Sequence, residues 1–260
     1  MSVTGSPNIV EDGLTFCIDP ANPRSYISGS SDTFNMVNFS NTIVSSDITG
    51  SLESDTFFTS SDSGKWFFDG VDDYIRFNTG SDGNWGTDSW SVSVWFSTTS
   101  SIENSPSLGL VSKRDIGNNQ EGWGIALRGS TYNGIMARLT SGSASNLSGT
   151  GGLRDIIPST NITSSLSDGK GHNLTVIYDH PTLVGSLYVD GEFSNENTTF
   201  NSGFTWENYV TASNLVIGAF SRGGSLPFHG AISNVSFYHK ALSSQEITQN
   251  YNALKHRFGL

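Results

Sequence analysis

The sequence predicts an all-β fold, a two-sheet antiparallel jelly-roll sandwich with one C-terminal α-helix. Three observations predict it. Apolar residues recur with period two through segment after segment, the mark of strands that bury one face. Asn133-Gly134 and Asp190-Gly191 border such segments, and both dipeptides favour the positive-φ turns of hairpins. A capped helical period shows at one place, near the C-terminus.

Taken in chain order, Trp66 adjoins a strand at Phe67–Phe68. Trp90, Val92, Val94 and Phe96 point one way, and Ser91, Ser93 and Trp95 the other. The same alternation runs through Trp123, Ile125 and Leu127, then Ile135, Ala137 and Leu139. It returns in Leu174, Val176 and Tyr178, in Leu187 and Val189, and in Leu215 and Ile217. Ile232 is out of phase with Val235 and Phe237, so burying all three requires a β-bulge between them. Ser28–Ser63, Thr98–Ser107 and Thr140–Ser167 read as long loops, where partner contacts are expected. Ser243 and Glu246 form a capping box. Ile247, Tyr251, Leu254 and Phe258 then share a helix face, Lys255, His256 and Arg257 suit the C-terminal dipole, and Gly259 ends the run. That helix should pack on the sandwich or on a neighbouring subunit. With no internal repeat and no break in composition, residues 1–260 read as a single domain with its core at about 14–258.

Charged residues are 14% of the 260, so the surface must be built largely from Ser, Thr, Asn and Gly. A net charge of −11 argues against nucleic acid, whose binding is driven by release of counterions to basic groups, and against anionic membrane surfaces. The one cysteine, Cys17, excludes an intrachain disulfide and reads as a small buried hydrophobe. The opening MSVTGSPNIVEDGLTF lacks the basic and apolar regions of a secretory signal, and no apolar run approaches the ~20 residues of a membrane span. Cytoplasmic synthesis is expected. Six Asn-x-Ser/Thr sequons then read as a by-product of composition, and Asn173 and Asn234 fall inside predicted strands.

Among the groups that could carry chemistry, Asp69, Asp72 and Asp73 stand closest together. Ca²⁺ takes six to eight oxygens, and this cluster lacks the spacing of a regular calcium loop. The preferred reading makes Asp69-Gly70 a turn with Asp72 and Asp73 capping amides, so neither metal nor cofactor is expected. Trp85 and Trp206 sit in polar settings, and with Tyr132 they are the candidates for stacking on a sugar. The competing reading, ranked ahead, has them clamping loops or lining a subunit interface. Glycosidases need two carboxylates facing one bond, and the nearest pair is Glu192 and Glu196, just past a hairpin turn. The five histidines show no zinc-ligand spacing, and no nucleophile elbow, P-loop or dinucleotide fingerprint occurs. No catalytic residue is expected.

The segments FDGVDDYIRF (Phe68–Phe77), SWSVSVWF (Ser89–Phe96), GHNLTVIYD (Gly171–Asp179), LYVDGEF (Leu187–Phe193) and NLVIGAF (Asn214–Phe220) come in that order, before the ending Phe228–Gly259. This order resembles the laminin-G-like domains of the concanavalin A-like lectin/glucanase superfamily, over roughly Leu14 to Phe258. The opening Asp12–Tyr26 is similar to the start of such domains in virion proteins of tailed bacteriophages. The resemblance implies a non-enzymatic virion structural protein, in capsid decoration, fibre or tail, with carbohydrate binding as a further role. Implied partners are other virion proteins, host surface polysaccharide and copies of the chain itself, at the virion surface. A glycan-binding bacterial adhesin module and a glycan-cleaving enzyme are the alternatives.

Overall fold

The computed structural model describes residues 8–37, 49–60, 64–78, 85–103, 107–114, 122–140, 153–201, 214–220 and 225–260. Among them, sixteen strands form two antiparallel sheets of eight. Strands are numbered in chain order. The first sheet runs β14 (Glu192–Asn197), β13 (Val184–Val189), β12 (His172–Asp179), β7 (Trp90–Ser97), β16 (His229–Tyr238), β5 (Lys65–Asp69) and β4 (Phe57–Thr59), and β1 (Leu14–Ile18) also pairs with β16. The second runs β11 (Leu153–Ile156), β10 (Gly134–Thr140), β9 (Gly122–Arg128), β8 (Leu108–Arg114), β15 (Leu215–Ile217), β6 (Tyr74–Phe77), β3 (Thr49–Glu53) and β2 (Asp32–Phe34).

The alternating residues meet between the sheets. Val92, Val94 and Phe96 of β7, Leu174 and Val176 of β12, Ile125 and Leu127 of β9, and Ile135 and Leu139 of β10 share one buried cluster. Excluding this apolar surface from water supplies most of the drive to fold. Both turn dipeptides behave as expected. Asn133 and Asp190 take positive φ of 53° and 52°, and their hairpins are β9–β10 and β13–β14. The bulge in β16 is present too, as a register shift between Ile232 and Asn234 against β7. It turns both Ile232 and Val235 into the core. Along its other edge, β16 pairs first with β5, through His229–Ile232, and then with β1, through Val235–Tyr238.

The middle of the first sheet's outward face is covered rather than wet. Helices are numbered in the same way, and α2 (Ser244–Leu254) follows β16 with the expected capping box, since Glu246 N donates to Ser243 Oγ and Ser243 N to Glu246 Oε2. A 3₁₀ turn, Lys255–Phe258, completes it and Gly259 ends it at φ 72°. Ile247 joins Val10, Ile177, Tyr238 and Leu242 in a second buried cluster. Asn250 is buried as well, because its amide accepts from Val10 N at 2.7 Å and donates to Tyr238 Oη at 3.1 Å. Beneath lies a polar layer: Asn173 Nδ2 donates to Ser93 Oγ, Ser236 Oγ to Asn234 Oδ1, and Asn234 Nδ2 to Ile18 O. Cys17 is buried beside it, and burial pushes its thiol up to about 11, leaving it inert. Asn173 and Asn234 are inaccessible to glycosylation in this fold.

Two expected loops hold regular structure. Ser28–Ser63 contains β2, β3 and β4, and Thr140–Ser167 contains β11 and the one-turn helix α1 (Thr163–Leu166). Their Ser- and Thr-rich sequences hide short strands at the sheet margins, which are held by backbone pairing and need little apolar surface. The edges β14 and β11 are stitched across the sandwich, where Asn195 Nδ2 donates to Ile157 O and Asn197 Nδ2 to Asp155 O.

Candidate carbohydrate-binding site

The structure separates the three residues put forward for sugar stacking. Trp85 is 6% exposed, and its ring stacks on Trp90 at 4.6 Å and lies 5.0 Å from Trp123. Trp85 is therefore withdrawn as a sugar-stacking candidate: a tryptophan in a polar stretch is drawn inward when it can plug the end of an aromatic core. Tyr132 is half-buried, with the Arg128 guanidinium over its ring at 4.2 Å and its hydroxyl accepting from Arg138 Nη2 at 3.3 Å. Trp206 lies outside the described residues.

Asp69, Asp72 and Asp73 do converge, with carboxylate oxygens within 4.8 Å of one another. Two of them serve the turn. Asp69 Oδ1 accepts from Val71 N at 2.7 Å, and Asp73 Oδ2 from Asp69 N at 2.8 Å. Burial pushes the Asp73 carboxyl above the usual range.

Of the residues with the character of a sugar site, the sequence singled out Glu192, and that for a different chemistry. A cleft of about 240 Å³ opens between α1 and the β13–β14 turn, lined among others by Thr160, Ser165, His172, Asp190, Glu192 and Phe193. Positive φ at Asp190 and Gly191 makes the turn tight and places Glu192 and Phe193 at the mouth. Phe193 is 56% exposed, with one edge held by Tyr188 at 5.5 Å. Glu192 is exposed and has no hydrogen-bond donor among the described residues. At the rear, His172 is fixed from both sides, with Nδ1 2.9 Å from Asp190 Oδ2 and Nε2 3.1 Å from Asp168 Oδ1. Asp190 Oδ1 also accepts from Asn173 N, so this carboxylate is fully engaged. The cleft thus offers a fixed polar wall, an exposed ring and one open carboxylate, the combination that reads a sugar's hydroxyls and its apolar face. Glu196 does not line it, so the Glu192/Glu196 pair does not face one bond there.

This wall titrates. Burial alone would lower the His172 pKa, but the hydrogen bonds and charges of Asp190 and Asp168 outweigh it and raise the value. The Asp168 carboxyl is lowered, because hydrogen bonds from the Lys170 amide and His172 overcome its desolvation. The histidine's contribution to stability is full below its ordinary value of about 6.5 and is lost as pH rises through the raised one. That of Asp168 is present above about 3.9 and is lost as pH falls through the lowered value. The Tm difference between wild type and His172→Gln should therefore be largest near pH ~5.5 and shrink by pH ~8.5. A difference that does not change with pH would overturn this account.

A second aromatic groove, of about 190 Å³, lies on the outer face where β5 meets β16. Phe67, Lys65, Thr98 and His229 line it, and Phe57, 53% exposed, packs beside Phe67 at 5.3 Å.

The jelly roll and its order of elements agree with one family. Residues 69–248, more than half of the chain, match the family described as the concanavalin A-like lectin/glucanases superfamily. The chain belongs to that superfamily. Solved structures agree on the fold of this superfamily member. The botulinum neurotoxin serotype D binding domain superposes with a TM-score of 0.63 at 14% identity, over 92% of this chain and 51% of that one. The binding domain of Paraclostridial mosquitocidal protein 1 gives 0.62 at 13%, over 93% and 52%. The binding domain of botulinum neurotoxin DC in complex with SialylT gives 0.65 at 12%, over 94% and 52%. The chain spans about half the length of the structures it matches. At such identities the likeness establishes the fold. No curated protein matches the sequence.

Proposed function

We propose that this domain recognises carbohydrate without cleaving it, in the cleft between α1 and the β13–β14 turn. The observation that carries the reading is the exposed Phe193 ring beside the open Glu192 carboxylate, on a wall fixed by the Asp168–His172–Asp190 contacts. The superfamily holds lectins and glucanases alike, and the similar structures are binding domains, which supports binding over catalysis. The finer reading is an exposed part of a bacteriophage particle that meets host polysaccharide. The resemblance of Asp12–Tyr26 to virion proteins supports it, and the protein's absence from purified particles would end it.

The test is calorimetry of the purified protein against a panel of bacterial surface polysaccharides. Phe193→Ala should weaken binding by about 1 kcal/mol, roughly fivefold, through the lost ring contact. Phe57→Ala in the second groove should leave it unchanged. The reverse pattern would move the site to that groove, and no saturable binding to any polysaccharide would defeat the reading. Binding should survive EDTA, because Asp69 and Asp73 are engaged in their turn. Abolition by EDTA would instead place a cation among Asp69, Asp72 and Asp73.

A further inference from the structure

The outer face of the second sheet carries three arginines, Arg114, Arg128 and Arg138, in a chain whose net charge is −11. Small residues make the space. Gly124 and Ala126 of β9 face outward there, and a side chain on Gly124 would meet the Phe220 ring at 2.7 Å. Phe220 and Tyr132 lie over this floor with Met136. Arginines flank both rings. Arg114 stands over Phe220 at 4.8 Å, Arg128 over Tyr132 at 4.2 Å, and Arg138 lies 5.9 Å from the Tyr132 ring.

Arg138 has its carboxylate. Asp155 accepts from Arg138 Nε at 2.7 Å and from Nη2 at 2.6 Å, the planar bidentate fork. Arg114 is close enough for Arg138 to act on it. Its pKa is lowered to about 10, by burial first and then by repulsion from Arg138. Arg128 has no carboxylate partner among the described residues. Its one hydrogen bond there runs from Nη1 to the weak acceptor Met136 Sδ at 3.2 Å. Donors without a carboxylate among the described residues thus stand on the half-exposed Arg128.

We infer that this face, centred on Arg128 beside Tyr132, binds the carboxylate of an acidic sugar. The inference rests on the carbohydrate reading but not on the cleft at Phe193. A guanidinium held over an aromatic ring has lost part of its freedom before the ligand arrives, so less is lost when the fork closes. Arg138 and Asp155 show the same pairing already made on the same sheet face. A sugar ring lying beside Tyr132 would place its own carboxylate where Arg128 has none.

The experiment is calorimetric titration of the whole chain with hexamers of galacturonic acid, with the carboxyl-reduced neutral hexamer, and with a sulfated hexamer of the same backbone. The acidic hexamer should bind at least about tenfold more tightly than the reduced one, the usual scale for a charge-assisted pair. Arg128→Ala should remove that advantage, with Arg128→Gln as the substitute should the alanine variant unfold. Arg128→Lys should restore only part of it, because an ammonium has no planar fork. Equal binding of the acidic and reduced hexamers, or an unchanged Arg128→Ala, would overturn the inference. A sulfated hexamer that binds as tightly, together with a fully active Arg128→Lys, would overturn it in favour of unspecific charge attraction. Loss of acidic preference with Phe193-dependent binding intact would defeat this inference alone, whereas no binding of any hexamer or surface polysaccharide would defeat both readings.

Discussion

Replacing Trp95 by alanine is expected to lower the unfolding free energy by about 3–5 kcal/mol, the usual range for deleting a buried tryptophan. Trp95 lies on the outward face of β7, yet it is 1% exposed. Phe258 stacks on it at 4.5 Å with planes 9° apart, and Tyr251 at 5.5 Å with planes 7° apart. Both rings come from the C-terminal helix and its 3₁₀ extension, so the indole is the point at which that segment docks on the sheet. Its loss would strand two aromatic faces and let water reach the polar layer around Ser93 and Asn173. Trp95→Phe keeps a stack of smaller area and should lose less than half as much. Denaturant unfolding of the three proteins reads this directly. A loss under about 1 kcal/mol for the alanine variant would mean that polar contacts hold the segment: the Lys240–Glu246 pair, and the Arg257–Asp19 pair at the other end.

Gly109→Ala is expected to cost about 3 kcal/mol or more, at the upper end of what overpacking does. Gly109 sits in β8 against the chain after β15. A Cβ there would lie 2.0 Å from Phe220 N and 2.2 Å from the Ala219 carbonyl carbon. These are backbone atoms, so no side-chain rotation relieves the clash, and β8 would have to leave the Ala219–Phe220 segment. Gly29→Ala makes the contrast. Its φ is 87° but nothing lies within 4 Å, so its cost should be the local one of about 1–2 kcal/mol. Thermal unfolding of both variants decides the point, and a smaller loss for Gly109→Ala than for Gly29→Ala would show that the close approach relaxes freely.

The central strands could be read from the chain because each carries its own signal. In β7, β9, β10 and β12 the alternation is local, and burial of one face enforces it. The capping box at Ser243 and the turns at Asn133 and Asp190 are also made by residues a few positions apart. The short strands at the sheet margins were missed because their stability comes from neighbours. Thr49–Glu53 and Leu153–Ile156 look like loop until a partner backbone is beside them. The burial of Trp85 was hard to read for a related reason, since its polar neighbours in sequence say nothing of Trp90 and Trp123 beside it. The cleft was hidden because His172, Asp168, Asp190 and Phe193 come from a loop, a strand and a turn, and none of them stands out alone. Arg128 needed the hairpin to bring Tyr132 and Met136 against it.

The place of β16 has a consequence in time. It is the last strand in the chain, yet it lies between β7 on one side and β5 and β1 on the other. Until residues 229–238 are made, the first sheet exists as three separate pieces, β14–β13–β12–β7, β5–β4 and β1 alone. On a ribosome adding about 5–20 residues each second, β1 waits ten seconds or longer for the partner that β16 supplies. Closure of this sheet is thus expected to come late and slowly, since it joins stretches more than 200 positions apart, Leu14 with Tyr238. A nascent chain arrested before Phe228 should stay sensitive to protease and bound to chaperones, and one released after Gly259 should become resistant.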